Sequence, residues 1–512
     1  MKTIERMTAS LCIAAIRAVL LPIDLILRCI GPHFDLFIGL FRTVPAPVIA
    51  CIARIRAVRA ADNAARNVPA YRAFLRQNGT SADDLLRLSL PFTDKENYVK
   101  RNAVEQRCVN GVLPLQNVTI DESSGSTGTP YNWVRSGGER HTSRTFISHF
   151  SRYCFGGGPM ITINAFSMGA WATGLTMGQA LERRSAVKNT GPDPDKIFNT
   201  LAFFGTAHRY CICGYPPFLK HLIDEARVRR FPLGQYSLAA LLGGEGNSEG
   251  LRDYLLGSFE TVYSGYGATD VEIGIAGETL LSTAIRREAR HNERLRAALF
   301  GDGSRLPMLF QYNPLMHHIT ADANGELSFT ITRLNVLSPR INYNIHDEGG
   351  VAPFAVIEER CRAAGFDLRA AAADTGTGSV PLPFLWVYGR KDSTVSVMGA
   401  NIYPEDIEQC LFDEPALAAV TRSYCLGLHE DGDASVRPHI AFEVSGELST
   451  GLTETFRTRI TSRLVALNAD FREAMREHAA SASPLIEIFA PGTGPFAGDK
   501  GRIKQVRTLQ HG

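Results

Sequence analysis

From about residue 110 onward, short apolar runs of the chain alternate with longer segments of helical periodicity. The runs MITINAF, RYCICGY, SLAALLGG and ETVYSGYG have the length and composition of buried strands, and PPFLKHLIDEARVRR, between two of them, has the pattern of a helix. Strands that alternate with helices form mostly parallel sheets with helices on both faces. The sequence therefore predicts an α/β fold built on a doubly wound sheet.

Two later segments extend this organisation. Residues 325–351 alternate polar and apolar positions between turn residues, which predicts an antiparallel region beside the parallel sheet. Beyond Gly389, a helix from Pro404, the strand PHIAFEVSG and one long helix over residues 451–479 predict a small α+β domain of about 120 residues. A chain of 512 residues should form two or three domains. We predict apolar helices over 1–60, a large ligand-binding domain over 61–389 and a small C-terminal domain over 390–512.

Charge and cysteine content limit the kinds of partner and compartment. Lysine and arginine number 54 against 52 aspartates and glutamates, so the net charge of +2 gives no electrostatic reason to expect nucleic acid. The 10 cysteines are irregularly spaced and fit a reducing compartment. Cys211 and Cys213 would share one face of a buried strand; a metal site with His208 as third ligand is the alternative. We expect a cytoplasmic protein that binds small molecules.

The first 60 residues are the most apolar part of the chain, with runs over residues 11–30 and 34–52. Arg17, Pro22, Asp24 and Arg28 interrupt the first run, and a charge near the centre of a bilayer costs about 2.5–3.5 kcal/mol. A signal peptide fits poorly because the run lacks a small-residue cleavage site. Two interpretations remain. Either these helices pack on the large domain, or residues 1–55 associate with the inner face of a membrane.

The segment SSGSTGTP, residues 123–130, directly follows the strand-like NVTIDE. Small residues let the backbone close around an anion, and their amides and hydroxyls can donate hydrogen bonds to phosphate oxygens. No Gly-Lys-Ser/Thr follows, so the segment is not a Walker loop. It predicts a phosphate-binding loop of another class, with donors at Ser123, Ser124, Gly125, Ser126, Thr127, Gly128 and Thr129.

This loop resembles the phosphate loop of the adenylate-forming superfamily, which includes acyl-CoA ligases, luciferases and peptide-synthetase adenylation domains. Within that superfamily the chain is most similar to the phenylacetate-CoA ligase branch. Further motifs of the superfamily follow in the same order: GGE at 243–245, YGATD at 266–270, YNIHD at 343–347 and GRKD at 389–392. The resemblance implies a large domain that binds ATP and the acid, and a small C-terminal domain that is mobile.

The resemblance also implies roles for the first two of these motifs. Gly244 and Glu245 would lie against the adenine of ATP. Tyr266 would stack on the adenine, with Gly267 beside it. Thr269 would contact the α-phosphate, where the reaction occurs.

The remaining roles concern the metal, the ribose and the C-terminal domain. Asp270, in place of the usual glutamate, would help to hold Mg2+. Asp347 would accept hydrogen bonds from both ribose hydroxyls, Arg390 would contact the ribose or phosphates, and Asp392 would be the hinge. A cation near the C-terminus would stabilise the reacting phosphate. The superfamily has a lysine there; this chain offers three candidates, namely Lys500, Arg502 and Lys504.

The activity that the resemblance implies is ATP-dependent conversion of a carboxylic acid to an acyl-AMP, followed by transfer to a thiol, with coenzyme A as the expected acceptor. A free-standing carrier protein or an amine is the alternative acceptor. A nucleotide-binding protein without catalysis is the alternative class, because YNIHD and the C-terminal segment depart from the family pattern. In NAFSMGAW, the resemblance implies that Phe166, Met168 and Trp171 border the acyl pocket; ordinary core packing is the alternative for each of them.

Overall fold

The computed structural model describes residues 2–122, 131–169, 172–301, 305–373, 379–390, 395–397, 400–430, 436–446, 448–477 and 479–497. The helices are α1 (Lys2–Ile30), α2 (Phe34–Thr43), α3 (Ala46–Asn67), α4 (Pro69–Gln77), α5 (Ala82–Arg87), α6 (Gly137–Phe155), α7 (Ala172–Leu181), α8 (Pro194–Phe204), α9 (Pro216–Val228), α10 (Glu249–Leu256), α11 (Leu280–His291), α12 (Glu293–Phe300), α13 (Phe354–Ala363), α14 (Leu368–Ala373), α15 (Pro404–Phe412), α16 (Pro415–Val420), α17 (Thr450–Leu467), α18 (Ala469–Glu477) and α19 (Ala479–Ala482). The strands are β1 (Val118–Glu122), β2 (Asn132–Ser136), β3 (Ile161–Asn164), β4 (Ala186–Asn189), β5 (Arg209–Gly214), β6 (Ser237–Gly243), β7 (Thr261–Ala268), β8 (Glu272–Gly277), β9 (Met308–Tyr312), β10 (His317–Ala321), β11 (Glu326–Ile331), β12 (Tyr343–Ala352), β13 (Phe384–Arg390), β14 (Val395–Val397), β15 (Ala400–Ile402), β16 (Thr421–Glu430), β17 (Val436–Val444) and β18 (Leu485–Phe489).

Within the described residues, 11 strands form one sheet in the order β10-β11-β12-β13-β9-β8-β7-β6-β5-β3-β4. Strands β4, β3, β5, β6 and β7 pair in parallel. The other six strands of the sheet pair with one another in antiparallel; in spatial order they are β8, β9, β13, β12, β11 and β10. Strands β5 and β6 are almost wholly buried, as expected for parallel strands with both faces covered. The predicted α/β class is confirmed, and the predicted antiparallel region continues the same sheet.

The four apolar runs each contain one strand of the parallel part, namely β3, β5, β6 and β7. In β5, the side chains of Cys211 and Cys213 are buried with their Sγ atoms 3.9 Å apart, as two residues on one face of a strand should be. Their neighbours are apolar side chains between the sheet and α6 and α7. The buried-strand interpretation is confirmed, and the side chain of His208 is exposed.

The C-terminal part of the chain forms a smaller core of its own. Strands β16, β17 and β18 form a separate sheet, against which α15, α17 and α18 pack. The single long helix predicted over residues 451–479 is wrong, because α17 ends at Leu467 and α18 begins at Ala469. Asn468 between them has extended backbone, and its side-chain oxygen accepts a hydrogen bond from the Phe471 amide (2.9 Å). It thus begins a new helix as an N-cap.

A buried carboxyl in this core gives its stability a pH dependence. Asp406 is buried, accepts a hydrogen bond from Nδ2 of Asn468 (2.9 Å), and has its pKa raised by burial to about 6. The folded state therefore keeps a proton at pH values where the unfolded chain has lost it. The resulting stabilisation is complete below about pH 4 and is lost as the pH rises through the folded-state pKa.

We predict that raising the pH from 5 to 8 lowers the free energy of unfolding of the wild type more than that of Asp406→Asn. The asparagine keeps an acceptor for Asn468 but does not titrate. Urea unfolding of both proteins at the two pH values measures the difference. An identical pH dependence in the two proteins would contradict the assignment.

Hydrogen bonds join the C-terminal part to the large sheet's helices. Nζ of Lys220 on α9 donates to the carbonyl of Thr421 (2.8 Å), and the amide of Ser248, the N-cap of α10, donates to Glu408 Oε2 (2.7 Å). The guanidinium of Arg305 lies over the rings of two tyrosines, one on β13 and one at the start of α15. These contacts hold α15 and β16 beside α9 and α10.

The N-terminal helices pack on the large domain by one side only. Helix α1 runs against α3 and α5, and Nη2 of Arg17 lies 2.5 Å from Oδ2 of Asp62. The segment Thr8–Ile30 is long and apolar enough to cross a membrane, and only 11% of the 18-residue window that meets this test is buried. Helices α2 and α3 pass the same test together but are bent by 111°. Packing on the large domain is therefore observed, while association with a membrane stays a prediction.

Candidate active site

Two predicted nucleotide motifs lie side by side at the carboxyl ends of β6 and β7. These strands pair in parallel, with Gly243 opposite Gly265. Gly244 follows with a φ of +86°, and a Cβ there would lie 2.5 Å from the ring of Tyr215, so only glycine fits. The crevice outside the carboxyl ends of parallel strands is where ligands of open α/β sheets bind. At this edge the pairing changes from parallel to antiparallel, between β7 and β8.

Tyr266 connects this edge to β12. Its hydroxyl donates a hydrogen bond to Oδ2 of Asp347 (2.5 Å), 81 residues away in sequence. Its ring stacks on that of Phe310, with centroids 5.6 Å apart and planes 28° apart. Burial, and then the Asp347 carboxylate, raise the pKa of Tyr266, so its hydroxyl remains a donor. Asp347 pairs in register with Arg390 on β13, which brings together three residues predicted for the nucleotide site.

Asp270 is held at the turn between β7 and β8. The Tyr343 hydroxyl donates to Oδ2 of Asp270 (3.4 Å), and Nε of Arg340 donates to its carbonyl (2.6 Å). The Arg340 guanidinium in turn lies 4.6 Å from the ring centroid of Trp133. The described residues contain no group of three or more His, Cys, Asp or Glu that could hold a metal ion. A lone carboxylate nevertheless suits Mg2+ that is bound mainly through substrate phosphates and water.

Arg135 on β2 is a site residue that the sequence analysis did not identify. Its Nε donates to Oδ2 of Asp121 on β1 (2.8 Å), and its Nη1 lies 3.1 Å from Oε1 of Glu139 on α6. Nη1 also donates to the carbonyl of Val271 (2.9 Å), and Nη2 donates to the carbonyl of Thr269. Burial alone would lower the pKa of Arg135, but the carboxylates of Glu139 and Asp121 have the larger combined effect and raise it. Arg135 thus joins the strand before residues 123–130 to the turn that carries Thr269 and Asp270.

An apolar pocket opens beside Tyr266. Its walls come from α2, α6, α7 and the ends of β6, β7 and β8, and its empty volume is about 1170 Å³, part of which is open to solvent. Phe166 lies on its wall at Gly243 and packs edge-to-face on Tyr215. Met168, the second residue expected there, is not among the described residues that line the pocket. Phe37 and Ile38 of α2 were not predicted to line it, because the pattern of α2 shows only an apolar helix.

Polar residues contribute to the lining of the pocket, among them His317. The His317 ring is buried, and its Nε2 lies 2.8 Å from Oε2 of Glu272. The guanidinium of Arg333 contacts the other carboxylate oxygen. Burial disfavours the Glu272 charge, but Arg333 and His317 outweigh it and lower its pKa to about 2. The carboxylate therefore stays charged, and it fixes the orientation of the His317 ring at the pocket.

Several predicted residues lie outside the part of the chain that the structure describes. They are the phosphate loop, one acyl-pocket residue, the hinge and the three C-terminal cations, namely residues 123–129, Trp171, Asp392, Lys500, Arg502 and Lys504. Their roles stay predictions. The strands that flank the loop are described, and β1 pairs with β2 from Val118 opposite Ser136 to Glu122 opposite Asn132.

Comparison with known proteins supports the fold. No protein-family model and no curated protein matches the sequence. Among solved structures, the chain is similar to 2-hydroxyisobutyryl-CoA ligase in the postadenylation state in complex with 2-HIB-AMP, with 16% identity, a TM-score of 0.65 and 92% of each chain covered. It is also similar to the same ligase in complex with 2-HIB-AMP and CoA in the thioesterification state, with 16% identity, a TM-score of 0.54 and 92% of this chain and 91% of that chain covered.

These matches establish that the chain has the fold of an adenylate-forming acyl-CoA ligase, as its motifs indicated, with a large N-terminal and a small C-terminal domain. At this level of identity they concern the fold alone. The narrower likeness to the phenylacetate-CoA ligase branch stays a prediction.

Proposed function

We propose that the chain activates a carboxylic acid with ATP, forms an acyl-AMP with release of pyrophosphate, and transfers the acyl group to the thiol of coenzyme A. The observation that carries the proposal is the hydrogen bond from Tyr266 to Asp347. It joins two predicted nucleotide motifs that are far apart in sequence, and Tyr266 also lines the apolar pocket. The solved ligase that shares this fold has been observed with an acyl-AMP and with CoA.

The nucleotide would lie along the sheet edge. In this arrangement Gly244 and Glu245 face the adenine, and the ring of Tyr266 supports it. Asp347 accepts hydrogen bonds from the ribose hydroxyls and is oriented by the Tyr266 hydroxyl. Arg390, in register with Asp347, would contact the ribose or the phosphates.

The chemistry would depend on position and charge. A carboxylate oxygen attacks the α-phosphorus, the bond to the β-phosphate oxygen breaks, and pyrophosphate leaves with that electron pair. Thr269 contacts the α-phosphate, and Arg135 fixes the Thr269 carbonyl. Bound Mg2+, held in part by Asp270, would neutralise phosphate charge. In the second step a thiolate attacks the acyl carbonyl, and AMP leaves.

The test is acid-dependent exchange of labelled pyrophosphate into ATP, with aryl, short-chain and long-chain acids. Lys500→Ala, Arg502→Ala and Lys504→Ala are assayed alongside, and the variant that loses exchange identifies the terminal cation. Exchange with any one class of acid supports the first half-reaction. ATP binding without exchange for every acid would favour the alternative of a nucleotide-binding protein without catalysis.

A further inference from the structure

Two of the charged residues that interrupt the apolar run of α1, Arg17 and Asp24, contribute to its packing on α3. Arg17 pairs with Asp62, and Asp24 pairs with both Arg56 and Arg59. The side chains of Asp62, Arg56 and Arg59 are almost wholly buried. Two of the charges that made this segment a poor membrane span therefore fix the orientation of the helix on the protein.

The opposite side of α1 is apolar and faces away from the protein. Large apolar side chains lie there at roughly helical spacing, and neighbouring ones of α2 and α3 extend the surface; these are Leu11, Val19, Leu21, Leu25, Ile26, Leu36 and Val48. Leu21 is 71% exposed and Leu25 is 64% exposed. Among the described side chains of α1, the charge beside this face is that of Arg28 at its edge. A group of exposed large apolar side chains of this kind marks an interaction site.

Charge indicates which surface would cover it. Residues 1–60 contain eight lysines and arginines against three aspartates and glutamates, a charge of +5, whereas the whole chain carries +2. Arg28 and Arg42 are exposed beside the apolar face. A helix with one apolar face bordered by basic side chains suits the headgroup region of an anionic bilayer. A second copy of the same basic surface would instead be repelled.

Helix α2 connects this surface to the pocket. Phe37 and Ile38 line the pocket, while Leu36, their neighbour on the helix, is 57% exposed on the outside. The ring of Phe37 stacks on that of His149, with centroids 5.6 Å apart. A single helix thus separates the exposed apolar surface from the interior of the acyl pocket.

We propose that α1 and α2 lie in the surface of an anionic membrane, and that the acid activated by this chain is a long-chain acid that reaches the pocket from the lipid past α2. The second part rests on the proposed function, whereas the first does not. A surface position keeps the ion pairs of Arg17 and Asp24 intact. Spanning the bilayer would break them and place both charges in hydrocarbon.

The binding test uses the full chain with vesicles of phosphatidylcholine, alone or mixed with phosphatidylserine. We expect the wild type to sediment with the mixed vesicles. The variant Leu21→Glu/Leu25→Glu should bind them at least about tenfold more weakly. Phe203→Glu/Val228→Glu is the matched control, because these side chains are as exposed but lie elsewhere on the surface. Alkaline carbonate should release the bound wild type.

Three results of the vesicle experiments would overturn the proposed position in the membrane surface. They are no binding of the wild type to mixed vesicles, equal binding of Leu21→Glu/Leu25→Glu, and retention in the membrane after carbonate, which would indicate a span. A lipid-free dimer that only the α1 variant dissociates would also overturn it, since a second copy would then cover the face.

The substrate test is pyrophosphate exchange with a long-chain acid held in the same vesicles and with a water-soluble acid. We expect the rate of exchange with the vesicle-held acid to be about tenfold lower for Leu21→Glu/Leu25→Glu than for the wild type. The control variant should keep the wild-type rate. Exchange with the soluble acid but none with the vesicle-held acid would overturn the substrate class. Vesicle binding without exchange for any acid would instead contradict the proposed function. It would still support the proposal that α1 and α2 lie in the membrane surface.

Discussion

Replacing Arg135 by methionine should lower the free energy of unfolding by about 3–5 kcal/mol. The guanidinium is buried and is the main partner of two carboxylates, Asp121 and Glu139. Without it, Glu139 remains buried, with its pKa raised by desolvation and then by nearby Glu272. The carbonyls of Thr269 and Val271 also lose their donor, and each buried unpaired group adds to the cost.

Urea unfolding measures this effect, with Arg152→Met as the control. Arg152 also pairs with a carboxylate, Asp35, but both side chains are exposed, and such pairs contribute about 0–1 kcal/mol. A loss below 1 kcal/mol for Arg135→Met would show that Arg135 does not brace the turn. Because that turn carries Thr269, we also expect Arg135→Met to reduce pyrophosphate exchange at temperatures where it remains folded.

Replacing Asp347 by asparagine should weaken ATP binding by about 10- to 100-fold, since hydrogen bonds to a charged acceptor contribute about 1.5–3 kcal/mol. The carboxylate can accept from both ribose hydroxyls, whereas an amide offers one oxygen. The asparagine oxygen can still accept the bond from Tyr266, so we expect the fold to be retained.

Titration calorimetry with ATP measures the effect on affinity. Glu348→Gln is the matched control, because Glu348 is the next residue of β12 and its side chain pairs with Arg305 instead of Tyr266. We expect it to change the affinity for ATP by less than about threefold. Tyr266→Phe tests the orienting hydroxyl separately and should weaken binding by less than Asp347→Asn. An unchanged affinity for ATP in Asp347→Asn would show that Asp347 is not part of the nucleotide site.

Much of the fold could be predicted because its signals are local. Buried parallel strands are continuous apolar runs, so β3, β5, β6 and β7 are evident in the sequence. The interruption at Asn468 was missed, because the periodicity of the two helices runs through it and the cap depends on a side-chain contact. The order of strands was not predicted either, since pairing depends on contacts between distant segments.

The candidate site divides in the same way. Motif residues such as Tyr266 and Asp347 could be identified from a resemblance, and the structure places them in contact. Arg135 could not, because a single arginine inside a strand gives no sign of the four groups that it will meet. The part of α2 that lines the pocket was likewise hidden, because an apolar helix has the same pattern whether it faces a core, a pocket or a membrane.

The most direct test of the central claim is identification of the nucleotide product when ATP, coenzyme A and an acid that supports exchange are supplied together. We expect AMP and the acyl-CoA thioester in equal amounts, with neither formed when the acid is omitted. Formation of ADP and phosphate, or of AMP without the thioester, would contradict it.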